Sequence, residues 1–191
     1  MIIQKPSPNK GLRGNYKPEL IVIHIMAGSL SGTDNWFSST VSQVSAHYGI
    51  GLTGEIHQYV QESEVAWANG RVNNPTAKLL KPGINPNLYT ISIENEGFDL
   101  SKNPEVQLDT CANLVKEICG RYNIPIDRDH IIGHYEIFSL KPNCPATDKS
   151  VIDKIILKAK PQSKPQEEFV CIPIKKSFVD IVLNFIKTLY Q

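Results

Sequence analysis

Two histidines and one cysteine are the side chains of this sequence best suited to bind a metal ion. His24 lies near the end of an apolar run, His134 follows a short apolar run and a glycine, and Cys144 lies in a proline-rich segment. Two imidazoles and a thiolate can form a catalytic zinc site, in which a fourth position stays open. By residue type and spacing alone, buried core residues explain such side chains more often than metal ligands do.

Glu94 is an acidic residue in an otherwise apolar segment that includes Ile91 and Ile93. A carboxylate that faces the interior there is costly unless it is paired or used in chemistry. The alternation of a strand also allows Glu94 to face solvent. Spacing alone slightly favours the solvent-facing interpretation.

The strands that must position these residues are indicated by the pattern of apolar side chains. Residues 20–26 form a continuous, largely β-branched run, which is typical of a strand buried on both faces. Residues 45–50 and 55–60 flank a glycine-containing connection and predict a β-hairpin. Residues 89–95 and 130–134 predict two further strands. His24, Glu94 and His134 therefore lie on, or at the end of, three different predicted strands.

Helices and loops complete the predicted organisation. Apolar residues at helical spacing predict a helix over 104–122 and another over 148–159. Asp34 can cap a short helix that starts near Asn35. Residues 1–19 are predicted to form an extended arm, and residues 69–87 a long surface loop of the kind that is often functional. We expect an α/β fold in which helices flank a central mixed β-sheet.

The composition fits one globular domain with a short extension. The chain has 191 residues, of which 41% are hydrophobic and 20% charged, and its formal net charge is +1. So small a charge gives no electrostatic basis for binding nucleic acid, and the longest apolar runs are far too short to span a membrane. The first residues lack the features of a secretory signal, so we expect synthesis in the cytoplasm without an export signal.

The remaining histidines and cysteines have structural interpretations. Cys111 and Cys119 share one face of the predicted helix and are expected to be small core residues. His57 and His130 are predicted to be packing or surface residues. Cys171 has no obvious partner, and the few cysteines of a chain this long are expected to be reduced thiols.

Six short motifs identify a family. In order they are LIVIH at 20–24, VSAHY at 44–48, GEIHQYV at 54–60, VAWANG at 65–70, ISIENEG at 91–97 and IGH at 132–134. This series resembles the zinc-dependent N-acetylmuramoyl-L-alanine amidases of the type 2 family, which are related to phage lysozyme-amidases and peptidoglycan recognition proteins. The resemblance covers residues 18–158.

The resemblance implies a role for each candidate residue. His24, His134 and Cys144 correspond to the zinc ligands, and Glu94 corresponds to the catalytic carboxylate. The substrate-binding positions of the family correspond to His47, Trp67 and Asn69. Zinc makes water a better nucleophile and polarises a carbonyl group, and a nearby carboxylate can transfer the proton.

Two positions depart from the family pattern. Related enzymes often have a lysine two residues before the third ligand, where it can stabilise an oxyanion. Pro142 occupies that position, and Lys141 is the nearest cation. Asn69 stands where many relatives have histidine, so a substrate contact is expected to differ. Neither departure affects the implied metal ligands.

The implied reaction is hydrolysis of the amide that joins the lactyl group of N-acetylmuramic acid to L-alanine in peptidoglycan. A phage or prophage lytic enzyme, an endolysin, is the first interpretation, because the chain lacks an export signal and carries an appended tail. Such an enzyme would act on the bacterial cell wall after release. A cytosolic muropeptide-recycling amidase is the second, and it would not need the tail. A metal-free peptidoglycan-binding module is the third, and it would need neither the metal ligands nor Glu94.

The predicted domains are a catalytic domain over 1–159, a linker over 160–174 and a helical segment over 175–191. The linker is polar and contains proline, as flexible spacers do. The last segment places its apolar residues on one helical face. Since so short a helix has no core of its own, self-association or docking is expected ahead of independent wall binding.

Overall fold

The computed structural model describes residues 1–161. Its strands and α-helices are β1 (Ile2–Gln4), β2 (Lys10–Leu12), β3 (Leu20–Ile25), α1 (Leu30–Ser38), β4 (Tyr48–Ile50), β5 (Ile56–Gln58), β6 (Glu64–Ala66), β7 (Thr90–Asn95), α2 (Glu105–Tyr122), β8 (Ile131–Gly133) and α3 (Ser150–Ala159). The predicted linker, from residue 162 onward, and the predicted segment 175–191 lie outside the described residues. So does Cys171.

Six strands form a mixed sheet in the order β1-β5-β4-β7-β3-β8, and β2 pairs with β6 in a separate two-stranded sheet. The neighbours β4, β7, β3 and β8 are all parallel, whereas β4 and β5 form the predicted antiparallel hairpin. The prediction of an α/β fold with a central mixed sheet is confirmed. No helix within residues 1–161 has both the length and the apolar character that a membrane crossing requires.

The alternation of side chains along β3 separates two cores. Ile21 and Ile23 pack with residues of α2 and α3 in the larger core. Leu20 and Val22 pack in a smaller core on the opposite face of the sheet. Because successive residues of a strand point to opposite faces, His24 continues the series of Leu20 and Val22. His24 therefore faces away from α2 and α3.

The structure differs from the sequence-based expectation in two places near the amino terminus. The predicted arm 1–19 contains two strands, and β1 pairs in parallel with β5 at the edge of the large sheet. The first helix begins at Leu30, because the Ser29 hydroxyl caps it by accepting a hydrogen bond from the Gly32 N–H. Asp34 instead lies within α1, where its carboxylate accepts a hydrogen bond from the Tyr59 hydroxyl.

Candidate active site and metal centre

Three neighbouring parallel strands bring the first three candidate residues together. His24 of β3 is directly opposite Glu94 of β7 in the strand register. On the other side of β3 lies β8, and His134 follows its last residue, Gly133. Since the carboxyl ends of parallel strands meet at one edge of a sheet, residues far apart in sequence converge there.

Cys144 reaches the same edge from a loop that is fixed at several points. The backbone N–H of Tyr135 donates to the Cys144 carbonyl at 3.1 Å, next to His134. The Lys149 ammonium group donates to the carbonyls of Pro142 and Ala146, and it lies 4.4 Å from the centre of the Tyr135 ring. These contacts hold the loop on both sides of Cys144. Lys149 could not be predicted from the sequence, because a lysine five residues after a candidate ligand gives no recognisable signal.

Asp99 holds the far end of the same loop. Its carboxylate accepts hydrogen bonds from the Thr147 hydroxyl and from the Ser101 hydroxyl, each at 2.6 Å. Burial opposes ionisation, but these hydrogen bonds outweigh it and hold the pKa of Asp99 well below its usual range. The loop therefore depends on an ionised carboxylate.

The side chains of His24, His134 and Cys144 form a compact buried cluster. One potential ligand atom from each lies within 4.8 Å of the others. The Cys144 Sγ is 4.0 Å from the His24 Nδ1. Tetrahedral zinc with bonds of about 2.0–2.3 Å places its ligand atoms roughly 3.5 Å apart. The group therefore fits one zinc ion after a small side-chain adjustment.

The hydrogen bond of His134 determines which of its nitrogens can bind a metal. Its Nε2 is 3.1 Å from the backbone carbonyl oxygen of Asn69. A carbonyl can only accept, so Nε2 carries the hydrogen and Nδ1 keeps its lone pair. Such an outer hydrogen bond is the usual companion of a metal-binding histidine.

Burial controls the protonation of the cluster. Burial and the charge of the neighbouring His134 lower the pKa of His24 well below its ordinary value, and burial also lowers the pKa of His134. Both rings are therefore neutral at pH 7, which is the form that binds metal. Burial, with the charge of Glu94, raises the pKa of the Cys144 thiol to about 12. A bound cation would reverse this effect, since a coordinating thiol is deprotonated.

Glu94 lies beside the cluster with its carboxylate poorly solvated. Its Oε1 is 3.8 Å from the His24 Nδ1, and its side chain is 15% exposed. Its Oε2 is buried and has no hydrogen-bond partner among residues 1–161. Burial raises the pKa of Glu94 to about 8, and the charge of Lys141 opposes this rise. The solvent-facing interpretation of Glu94 is therefore wrong, because the register with His24 turns its side chain to the candidate site.

A cavity of about 750 Å³ opens above the cluster and is lined by both histidines, Cys144 and Glu94. Five exposed large apolar side chains also line it: Trp36, Val44, Trp67, Phe98 and Leu140. The exposed side chain of Lys141 lies at the same cavity. An apolar cavity with a few convergent polar groups is the usual form of a small-molecule site.

The three residues implied to bind substrate have different positions. Trp67 lines the cavity and is 39% exposed. Asn69 also borders the cavity, but it is fully buried among hydrogen-bond partners. His47 does not line the cavity, and its Nδ1 accepts a hydrogen bond from the Ser92 N–H at 3.0 Å. A substrate contact by His47 is therefore not supported, because its ring is buried within the protein.

Arg13 fixes the surroundings of His47 and was not among the residues predicted from the sequence. The Arg13 side chain is buried, donates to the backbone carbonyls of Leu88 and Thr90, and lies 2.8 Å from the His47 Nε2. An arginine in a polar segment is usually exposed, so the composition of residues 1–19 does not indicate that Arg13 is buried.

The remaining candidates lie outside the site, as predicted. His57 is buried between the carboxylates of Asp34 and Glu55, at 2.8 and 2.7 Å. His130 contacts Asp127 at 2.7 Å. Cys111 and Cys119 are buried in the larger core, where they have a structural role.

The fold and the site together define an α/β protein with a candidate metal centre at the carboxyl ends of its parallel strands. A family model described as N-acetylmuramoyl-L-alanine amidase matches residues 14–147. The chain belongs to this family, Amidase_2, and the resemblance noted from its motifs is confirmed.

Two curated relatives illustrate the relationship. N-acetylmuramoyl-L-alanine amidase A of Achromobacter lyticus is 33% identical over 126 residues, which are 64% of this chain and 63% of the relative. The chain thus spans less than two thirds of that protein. The 1,6-anhydro-N-acetylmuramyl-L-alanine amidase AmpD of Salmonella typhimurium (strain LT2) is 29% identical over 151 residues, which are 69% of this chain and 76% of the relative.

Solved structures show the same fold. A crystal structure of an AmpD derivative has a TM-score of 0.67 at 24% identity, over 81% of this chain and 93% of that one. A mutant endolysin from Bacillus subtilis has a TM-score of 0.63 at 18% identity, over 84% of this chain and 99% of that one. At these identities the similarity concerns the fold alone.

Proposed function

We propose that the chain is a zinc-dependent N-acetylmuramoyl-L-alanine amidase, which hydrolyses the bond between N-acetylmuramic acid and L-alanine in peptidoglycan. The observation that carries this proposal is the cluster of His24, His134 and Cys144, whose ligand atoms lie within 4.8 Å of one another, beside the buried carboxylate of Glu94. A binding module would need neither.

His24, His134 and Cys144 would hold the zinc ion, and they fit its preference for nitrogen and sulfur ligands. When bound, zinc would polarise the substrate carbonyl and make water a better nucleophile. Three protein ligands would leave a fourth position for water or substrate. This open position distinguishes a catalytic site from a structural one.

Glu94 would transfer the proton in this reaction. Its Oε2 has no hydrogen-bond partner among residues 1–161. A bound cation would counteract the raised pKa and favour the ionised carboxylate, which can accept a proton from the attacking water. The same carboxyl group would then give that proton to the leaving nitrogen of L-alanine as the amide bond breaks. Both steps need an ionisable group that is close to the reacting atoms and largely shielded from solvent.

Lys141 and Trp67 would contribute to binding at the cavity. The charge of Lys141 reaches the centre, since it opposes the rise in the pKa of Glu94. Lys141 would therefore favour the negative charge that develops on the carbonyl oxygen. Trp67 presents a partly exposed indole ring to the cavity, which suits contact with a sugar or peptide.

Two uses of this activity belong to the proposal. The first is a lytic enzyme that is made in the cytoplasm and acts on the wall after release, as expected from the predicted tail; the endolysin structure shares only the fold. The AmpD relatives support a muropeptide-recycling enzyme, because their name specifies a 1,6-anhydro-N-acetylmuramyl substrate. Self-association through 175–191 remains a prediction.

One digestion experiment tests both the chemistry and its use. The full chain, with zinc added, would be incubated with intact cell walls and separately with a soluble 1,6-anhydro-muramyl peptide. Mass spectrometry should show peptides that begin with L-alanine, together with intact glycan. Faster cleavage of walls would support lysis, and faster cleavage of the soluble substrate would support recycling. A zinc-loaded chain that cleaves neither substrate would contradict the proposal, as would full activity after the metal is removed.

A further inference from the structure

Asn69 is held rigidly in the loop between β6 and β7. Its side chain is fully buried. Its backbone N–H donates to the Asn87 side-chain oxygen at 3.0 Å, and its Nδ2 donates to the Thr90 hydroxyl at 2.9 Å. These two contacts fix the backbone and the amide plane of Asn69. A residue this enclosed presents little polar surface to a substrate.

The backbone oxygen of Asn69 contacts one histidine of the cluster, and its side-chain oxygen is a candidate partner for the other. Its backbone carbonyl accepts the hydrogen bond from the His134 Nε2. Its side-chain Oδ1 and the His24 Nε2 are both buried, and neither has a hydrogen-bond partner among residues 1–161. The ring centroids of His24 and His134 are 4.5 Å apart, so Asn69, which contacts His134, also lies close to His24. In agreement, burial and His134 lower the pKa of His24, whereas the side chain of Asn69 opposes this change. The two unsatisfied atoms are thus potential partners for each other.

The opposite edge of each imidazole is the one available for metal. The His24 Nδ1 lies 4.0 Å from the Cys144 Sγ and 3.8 Å from the Glu94 Oε1. A neutral histidine that binds metal through Nδ1 carries its hydrogen on Nε2. An acceptor at Nε2 therefore selects the tautomer that can bind the ion, and it also fixes the orientation of the ring.

We infer that Asn69 is a positioning residue that holds both histidines in the Nδ1-binding form, His134 through its backbone carbonyl and His24 through its side-chain oxygen. This inference rests on the proposed zinc site, and it replaces the expectation that Asn69 contacts substrate. Outer hydrogen-bond partners of this kind contribute about 10–100-fold to metal affinity. The backbone carbonyl of residue 69 is present in every variant. A substitution of the Asn69 side chain therefore tests only the proposed contact with His24.

The test compares side-chain variants of the full chain by chelator competition for zinc. Asn69→Leu keeps the approximate volume without the oxygen, and Asn69→Ala removes the oxygen without overpacking. Both should bind zinc about 10–100-fold more weakly than the parent chain. Asn69→Asp keeps an acceptor and should bind zinc more tightly than either. The matched control is Asn9→Ala, because Asn9 is equally buried but donates to the carbonyls of Ser39 and Val44 and contacts neither histidine.

Nitrogen-15 NMR of the zinc-free chain supplies a readout that general destabilisation would not change. His24 should carry its hydrogen on Nε2 in the parent chain and in Asn69→Asp, and it should shift towards the Nδ1-protonated form in Asn69→Leu and Asn69→Ala. The inference is wrong if this tautomer is unchanged, or if zinc affinity falls no further than in Asn9→Ala. Absence of zinc binding in the parent chain would instead defeat the proposed function, while the NMR comparison would still decide the role of Asn69.

Discussion

Replacing Glu94 with glutamine tests the proposed proton transfer most directly. The substitution keeps the size of the side chain and removes its ability to accept a proton. Oε2 has no hydrogen-bond partner among residues 1–161, and Oε1 makes only the 3.8 Å contact with His24. No structural hydrogen bond is lost, so we expect the fold and the bound zinc to be retained.

The expected loss of turnover follows from the position of this carboxylate. A group that transfers protons in the transition state contributes about 10²–10⁴-fold, which corresponds to roughly 3–5 kcal/mol in the activation barrier. Glu94 is the acidic side chain that lines the cavity within the described residues. We therefore expect no neighbouring carboxylate to replace it.

The assay measures the initial rate at which a soluble muramyl peptide releases L-alanine amino termini, alongside zinc per chain. Glu96→Gln is a suitable control, because the Glu96 carboxylate accepts hydrogen bonds from the backbone of Leu30 and Leu52 and does not line the cavity. It should lower stability but leave turnover of the folded chain close to normal. A loss of less than about tenfold in Glu94→Gln with zinc retained would refute the reasoning, because it lies below the usual contribution of an acid–base group.

Four further predictions concern the ligands, Lys141 and the adjoining loop. His134→Ala should lose zinc and turnover together, since two protein ligands rarely hold catalytic zinc; stoichiometric zinc by metal analysis would contradict this. Cys144→Ser should bind zinc more weakly than Cys144→Asp, because a carboxylate also ligates zinc; a higher zinc affinity of Cys144→Ser in chelator competition would contradict this prediction. Lys141→Ala should reduce kcat less than Glu94→Gln does; an equal loss would contradict this and show that Lys141 is as important for turnover as Glu94. The pKa of Asp99 is lowered in the folded chain, so its contribution to stability is present above its ordinary pKa of about 4 and is lost as the pH falls further. In urea unfolding, Asp99→Asn should be less stable than the parent chain at pH 7 and should lose less stability on acidification. Parallel stability curves of the two chains against pH would exclude a contribution from ionised Asp99.

The central strands of the sheet could be predicted from the sequence because they are buried on both faces, whereas the edge strand β1 is exposed at all three residues and lacks such a pattern. β3 begins with four residues that are at most 1% exposed, which produces the unbroken β-branched run that was recognised. The observed α2 and α3 likewise begin within two residues of the predictions. The first residue of helix α1 was harder to predict, because Ser29 and Asp34 are both good N-cap residues. The tertiary contact of Asp34 with Tyr59 decides between them.

The site could be predicted only in part. His24 and Cys144 are 120 positions apart, so their spacing carries no signal, and the family resemblance supplied the grouping. Alternation left both orientations of Glu94 open, and the register with His24 decides between them. The position of His47 depends on Arg13, whose contacts come from a distant segment.

Polar groups from other segments of the chain hold the three candidate ligands in place, so the ligand types alone do not define the candidate metal centre. The Asn95 side chain donates to the His24 carbonyl at 3.1 Å, and Asn69 accepts from the His134 ring. Lys149 binds the carbonyls on either side of Cys144. Each ligand therefore has its own polar support, and the supports come from different segments of the chain. Because Asn95 and Lys149 act on different ligands, substitutions of these two residues should affect zinc affinity nearly independently unless the ion itself couples them.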